Sequence, residues 1–242
     1  MEEFDRVKLL IGESALNTLS RSSVAVFGIG GVGGFAAEAL VRSGIGNITI
    51  VDNDVVSTSN INRQIIATKD SVGKDKVSVM RERLLSINPN VNVNAVNMFY
   101  LPDCADKIDL SKFDYIIDAV DTVSAKIELI LRAKKANVSV ISCMGTGGKL
   151  DISALRIADI KDTKGCPLAR VMRRELKNRG IDGVKVVYSE EKVNFDENMK
   201  QTAEKKADGR IAPPSMIFVP ATAGLMLARE VVMHLIKLKS EN

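Results

Sequence analysis

Arg63 and Lys76 follow a glycine-rich turn, and the carboxylates Asp118 and Asp121 come later in the chain. An arginine offers a planar fork of N–H donors and a lysine a compact charge, so two such groups beyond a nucleotide-type turn suit a row of phosphates. Two carboxylates three residues apart, just past an apolar run, can hold Mg²⁺, a hard ion that takes carboxylate and phosphate oxygens. Either one can equally cap the helix that follows. The turn itself is Val24-Ala25-Val26-Phe27-Gly28-Ile29-Gly30-Gly31-Val32-Gly33, with Gly28, Gly30 and Gly33 at G-x-G-x-x-G spacing and Gly31 between them. Such glycines let backbone approach a phosphate at a helix N-terminus, where unpaired N–H groups point outward. Asp52 ends the next apolar run, Ile48 to Val51, where a carboxylate would accept ribose hydroxyls. Asp54 follows it, and Asn60-Ile61-Asn62-Arg63-Gln64 places Asn60, Asn62 and Gln64 around the arginine. Lys74 competes with Lys76 for the phosphate role and is read as facing solvent.

These residues need strands that end together. Apolar runs alternate with helical patterns: a helix over 6–19, a strand at 24–27, a helix over 35–41 and a strand at 48–51. A polar loop over 55–68 leads to a helix over 74–87, which Asn88-Pro89-Asn90 ends. Residues 91–96 alternate with period two, as a strand exposed on one side should. Strands at 113–118 and 138–142 flank a helix over 124–136. This order predicts an α/β fold, a Rossmann-like, mostly parallel sheet with helices on both faces. Ligands in such sheets sit beyond the C-terminal strand ends, where Gly28, Asp52, Asp118 and Cys143 fall. Residues 1–150 read as the nucleotide-binding domain. Residues 151–242 read as a smaller, irregular C-terminal extension packed on the same core: a strand over 152–157, a basic helix over 168–178, a strand over 184–189, a mobile loop over 190–214 and a closing helix.

Composition narrows the class. Hydrophobic residues make up 45% and charged residues 26% of the chain, enough for a large core beneath an ordinary charged surface. A net charge of +4 does not by itself indicate nucleic acid. Cys104, Cys143 and Cys166 are widely spaced and form no C-x-x-C, so a zinc site of the usual spacing is not expected, and a reduced, cytoplasmic protein is. No signal peptide is expected, because residues 1–6 are acidic and mixed, and no transmembrane segment, because the apolar stretch over 217–236 is broken by Arg229, Glu230 and His234. His234 is the single histidine, which argues against histidine catalysis.

Phe4-Asp5-Arg6, the glycine turn, Asp52-Asn53-Asp54, Asn60-Ile61-Asn62-Arg63-Gln64, Gly73-Lys74-Asp75-Lys76 and Asp118-Ala119-Val120-Asp121 occur in the order seen in the ubiquitin-activating-like (ThiF/MoeB-type) superfamily, which the chain resembles. Members adenylate carboxylates with ATP. The resemblance implies that Asp52 binds ribose, that Arg63 and Lys76 bind phosphates, and that Asp121, with Asp118 nearby, handles Mg²⁺. It also implies a homodimer in which Arg6 reaches the partner's ATP; an exposed helix charge is the plainer reading of Arg6. Within the superfamily the chain is most similar to the tRNA threonylcarbamoyladenosine dehydratase branch, through Cys143 to Asp151, Cys166-Pro167-Leu168-Ala169 and Phe218 to Gly224. The substrate then implied is tRNA carrying threonylcarbamoyladenosine, dehydrated to a cyclic form with release of AMP and pyrophosphate. Where some relatives carry a cysteine, this chain has Val186-Val187-Tyr188-Ser189, so a sulfur relay through that thiol does not carry over. A sulfurtransferase partner stays an open question.

Arg170, Arg173, Arg174 and Lys177 fall at i, i+3, i+4 and i+7 on the basic helix, a stripe suited to tRNA phosphates, although Glu175 interrupts it and a solvated face explains it equally. Three rivals remain. An activator of a small sulfur-carrier protein would use the same adenylation site. A non-catalytic nucleotide-binding scaffold would not need Arg63, Lys76 and Asp121. A nicotinamide dehydrogenase has no use for Arg63 and Lys76 beyond the ribose.

Overall fold

The computed structural model describes residues 3–193 and 213–238. Seven strands form one sheet in the order β3-β2-β1-β4-β5-β7-β6. β1 (Ser23–Phe27), β2 (Asn47–Asp52), β3 (Asn92–Asn97), β4 (Tyr115–Asp118), β5 (Ser139–Cys143) and β7 (Lys185–Ser189) run parallel, and β6 (Leu155–Asp159) pairs antiparallel with β7 at the edge. Connections leave β1 toward β2 on one side, while β4 pairs with β1 on the other, so the strand order reverses between β1 and β4. Parallel sheets open a crevice beyond the strand ends at such a reversal.

Both faces of the sheet are covered, so its central strands are apolar on both sides. Val24 and Val26 join one core with Ala36, Ala37 and Leu40 of α3 (Gly33–Arg42), Met80 and Leu84 of α4 (Lys76–Ile87) and Leu227 and Val231 of α7 (Phe218–Leu238). Ala25 and Phe27 face the other way, against Leu129 and Ile130 of α5 (Val123–Lys135) and Met172 and Leu176 of α6 (Pro167–Asn178). By length and composition α7 could cross a bilayer, yet Val219, Ala223, Leu227, Ala228, Val231 and Leu235 are buried, packing it as a core helix.

Several boundaries depart from the sequence-based expectations. The single helix expected over 6–19 is two, α1 (Asp5–Ile11) and α2 (Glu13–Arg21), broken at Gly12, whose φ of 86° no helix accepts. The helix expected from residue 74 starts at Lys76, because the Lys74 carbonyl accepts the Val56 N–H instead of a helical one and the first helical bond runs from Val79 to Asp75. Residues Ile152–Ala154 form a 3-10 turn with the Asp151 carboxylate accepting the Ser153 N–H, and the strand begins at Leu155. Residues 151–242 supply β6 and β7 to the same sheet as the glycine turn. Most of the loop expected over 190–214 lies outside the described residues.

α7 crosses α3 closely enough that a Cβ on Gly224 would lie 2.4 Å from the Val32 carbonyl oxygen. Gly224→Ala must push the two helices apart. The expected loss is about 1–3 kcal/mol, read as a lower urea midpoint at unchanged slope.

Candidate functional site: the crevice between β1 and β4

The β1–α3 turn is built around a backbone contact. Gly28 has φ 87°, donates its N–H to the Val51 carbonyl at 2.8 Å, and packs so closely on the β4–α5 turn that a Cβ would sit 2.6 Å from the Ala119 oxygen. A Cβ on Gly33 would meet the Gly28 oxygen at 1.8 Å, so helix α3 can begin there only with glycine. Gly30 and Gly31 differ. Their nearest neighbours would stand 3.7 Å (Gln64 Nε2) and 3.5 Å (the Arg63 oxygen) from an added Cβ. Among the described residues nothing requires glycine at these two positions on steric grounds, and a ligand approaching the backbone would.

Asp52 is tied into this turn. Its Oδ2 accepts the Ile29 N–H at 2.6 Å and its Oδ1 the Asp54 N–H at 2.9 Å, which fixes the carboxylate at the end of β2 beside the glycines. Asp54 in turn accepts from Lys76 Nζ at 2.7 Å, with the Lys76 side chain 7% exposed and Asp54 60% exposed. A buried ammonium thus reaches the crevice rim with one carboxylate as partner, and Lys74 is exposed. The Arg63 Nη1 donates to the Ser59 carbonyl at 2.7 Å and to Asn62 Oδ1 at 2.9 Å, and Arg63 packs beside Gly31. Asn62 Nδ2 donates to the Ser215 carbonyl at 2.7 Å, so the returning chain is fastened to the same loop. Asn60 is buried and its Oδ1 accepts the Ser57 N–H, which makes it the brace of a 3-10 turn. Gln64 is buried with its Nε2 nearest Gly30 and its Oε1 lacking a hydrogen-bond partner.

Two expected roles need correction. Asp118 is fully buried, with Lys126 Nζ 3.2 Å from both of its oxygens and Ser142 Oγ donating to Oδ2 at 2.5 Å. Its lone pairs are spent on the interior, so it does not face the crevice as a metal ligand. Asp121 is the exposed carboxylate of the pair, accepting from Thr122 Oγ1 at 3.3 Å. Among the described residues no three His, Cys, Asp or Glu side chains cluster as a metal cage. One exposed carboxylate beside an open phosphate cradle fits Mg²⁺ held largely by nucleotide oxygens and water. On α6, Arg173 turns inward, its Nη1 donating to the Thr163 carbonyl and Oγ1 at 2.6 and 2.8 Å, while Arg170, Arg174 and Lys177 are exposed. Arg174 also meets Glu175 at 3.2 Å.

Arg6 lies exposed on α1. Cys143 and Cys166 are buried, and burial pushes the Cys143 thiol up to about 12, so it stays protonated and inert at neutral pH. Lys149, not among the residues expected at the site, is buried below the β5 loop, donates to the Ser189 carbonyl at 3.0 Å, and has its pKa lowered by burial. Lys126 was also missed. Its signal in the sequence is a lysine at the first position of the apolar face Lys126, Leu129, Ile130 and Ala133.

Gly30→Ala separates a ligand requirement from a folding one. The variant is expected to unfold at the wild-type urea midpoint and to bind ATP at least about tenfold more weakly by calorimetry, a loss of about 1.4 kcal/mol.

Comparison with known proteins agrees with this geometry. The tRNA threonylcarbamoyladenosine dehydratase of Bacillus subtilis is 42% identical over 243 residues, covering 98% of this chain and 96% of that protein. The crystal structure of the Escherichia coli tRNA N6-threonylcarbamoyladenosine dehydratase with AMP superposes with a TM-score of 0.89 at 33% identity, covering 99% of this chain and 96% of that one. The same enzyme with ATP gives 0.87 at 32% identity and the same coverage. The family model described as ThiF family matches residues 4–242, and the chain belongs to that family.

Proposed function

We propose that this chain is an ATP-dependent tRNA threonylcarbamoyladenosine dehydratase. The observation that carries the reading is the open face of Gly30 and Gly31 with Arg63 and the Gln64 amide nitrogen beside it, in a chain similar over its length to two dehydratases. Asp52 would take the ribose hydroxyls. Arg63 and Lys76 would take the phosphates, the first by breaking its local bonds to Ser59 and Asn62, the second by exchanging Asp54 for a phosphate oxygen. Bound Mg²⁺ would supply charge neutralisation between the phosphates and Asp121.

The threonine carboxylate of the modified adenosine attacks the α-phosphorus, the bond to the β-bridging oxygen breaks, and pyrophosphate leaves. The carbamoyl nitrogen then attacks the acyl carbon and closes a five-membered ring. AMP departs with the carbon–oxygen bond, and the nitrogen's proton passes to solvent. Both first-step reactants are anions, so the barrier falls as Arg63 and Lys76 meet charge moving onto the leaving pyrophosphate. Ring closure needs no protein nucleophile because both groups belong to one substrate, in keeping with the buried, protonated Cys143.

Arg170, Arg174 and Lys177 form the tRNA docking face, and Arg173 braces α6 from behind. The same reading makes the enzyme a cytoplasmic homodimer: Leu9 and Leu10 of α1 are 83% and 84% exposed, an apolar pair suited to cover by a second copy that brings Arg6 to the neighbouring site. Residues 1–150 and 151–242 act as one unit, since both build the sheet. Adenylation of a sulfur-carrier protein is the second reading, and the missing C-x-x-C pairs count against it.

ATP–pyrophosphate exchange should appear with threonylcarbamoyladenosine-bearing tRNA and not with a carrier protein; the opposite pattern selects the second reading. Arg63→Ala should lower AMP formation by at least about a hundredfold, the scale of a lost charge-stabilising contact, with an unchanged urea midpoint. Changing Arg170, Arg174 and Lys177 together to alanine should weaken tRNA binding and make its log–log salt dependence shallower by about 2–3.

A further inference from the structure

Lys126 is 1% exposed, and its ammonium lies within 2.7–3.3 Å of four oxygens: both of Asp118, Ser142 Oγ and the Cys143 carbonyl. Those oxygens belong to the ends of β4 and β5, so a charge carried on α5 clamps two strand ends together at the crevice floor. The clamp continues to the surface. Asp118 Oδ1 accepts the Val120 N–H at 3.2 Å, and the Ala119 N–H donates to the Phe27 carbonyl at 2.8 Å. Asp121 is the next residue. The path from a buried ammonium to the exposed carboxylate therefore runs through one carboxylate and a turn of three residues.

We propose that Lys126 is a positioning residue for Asp121: held by Asp118, Ser142 and the Cys143 carbonyl, it fixes the Ala119–Asp121 turn so that the Asp121 carboxylate meets metal-bound nucleotide at a set place. The proposal rests on the adenylation reading and adds a residue to it. Burying a charge pair is poorly repaid by stability alone, because an apolar pair of the same volume packs as well. Retaining it here gives the turn one conformation. With a hydrocarbon at residue 126, Asp118 would be an unpaired interior carboxylate, and the turn above it would follow whichever way that group found water.

The test is a binding measurement on full-length protein. ATP affinity is measured by calorimetry in Mg²⁺ and in EDTA for the wild type, D121N, the charge-neutral pair D118N/K126M, and the triple variant. The paired variant removes both charges, so neither is stranded inside. It is expected to keep the wild-type affinity in EDTA within about twofold, to lose at least about fivefold of the Mg²⁺-dependent gain, and to lose nothing more when D121N is added, as groups acting in series do. A paired variant with the full Mg²⁺ gain, losses that add with D121N, or a wild type indifferent to Mg²⁺ overturns the role of Lys126. A wild type that ignores ATP altogether refutes the adenylation reading instead. If the paired variant does not fold, Ser142→Ala is scored on the same ratio. It removes the one hydroxyl shared by Asp118 and Lys126 and no charge, and a drop supports the proposal while an unchanged ratio overturns it.

Discussion

The structure depends on two backbones meeting with no side chain between them. Where β1 ends, Gly28 lies against the Ala119 carbonyl at the end of β4, and an added methyl would overlap it. That contact sets how far the two strand ends are apart, and so how wide the crevice is at the point where the sheet order reverses. The glycine turn hangs from it on one side and the Ala119–Asp121 turn on the other. Gly33, forced small by the Gly28 carbonyl, then aims the first turn of α3 into the same space. Phosphate-binding geometry here is a by-product of close packing, completed by leaving Gly30 and Gly31 bare.

Charge is arranged around that crevice in tiers. Closest to the floor, Asp118 and Lys126 cancel each other out of reach of water. At the rim, Lys76 is held by the exposed Asp54, and Arg63 is held by weak local acceptors, a carbonyl and an amide oxygen. Both sets of rim partners can give way to an anion with more charge than they have, so the cationic groups stand in place without being locked. Asp52, by contrast, is committed to two backbone N–H groups and serves as scaffold for the turn.

Much of this was legible in the residues themselves. All seven strands, the sixth displaced by a few residues, and the helices between them follow from apolar runs and helical spacing, and the structure gathers Asp52, Arg63 and Lys76 about the glycine turn. What was illegible has physical causes. Asp118 and Asp121 look alike in sequence, but β4 is buried along its whole length, so the acid that ends the strand is interior and the one beyond it is exposed. The partner that makes the first tolerable, Lys126, sits eight residues away on an apolar helix face. Arg173 shares its helical stripe with Arg170, Arg174 and Lys177, yet the Thr163 turn behind α6 draws it inward, and that neighbour is set by tertiary packing alone. Gly12 breaks the first helix at a position where the apolar pattern runs on, because the pattern records burial and φ records the chain's path.

The antiparallel edge pair and α7 complete the first half of the molecule from the later part of the chain. β7 covers the open edge of β5, and α7 lies across α3, whose helix begins at the glycine turn. A nascent polypeptide still missing its final helix would therefore emerge from the ribosome with the apolar flank of α3 bare. The order of synthesis thus brings the helix that backs α3 into place long after the glycine turn itself has been made.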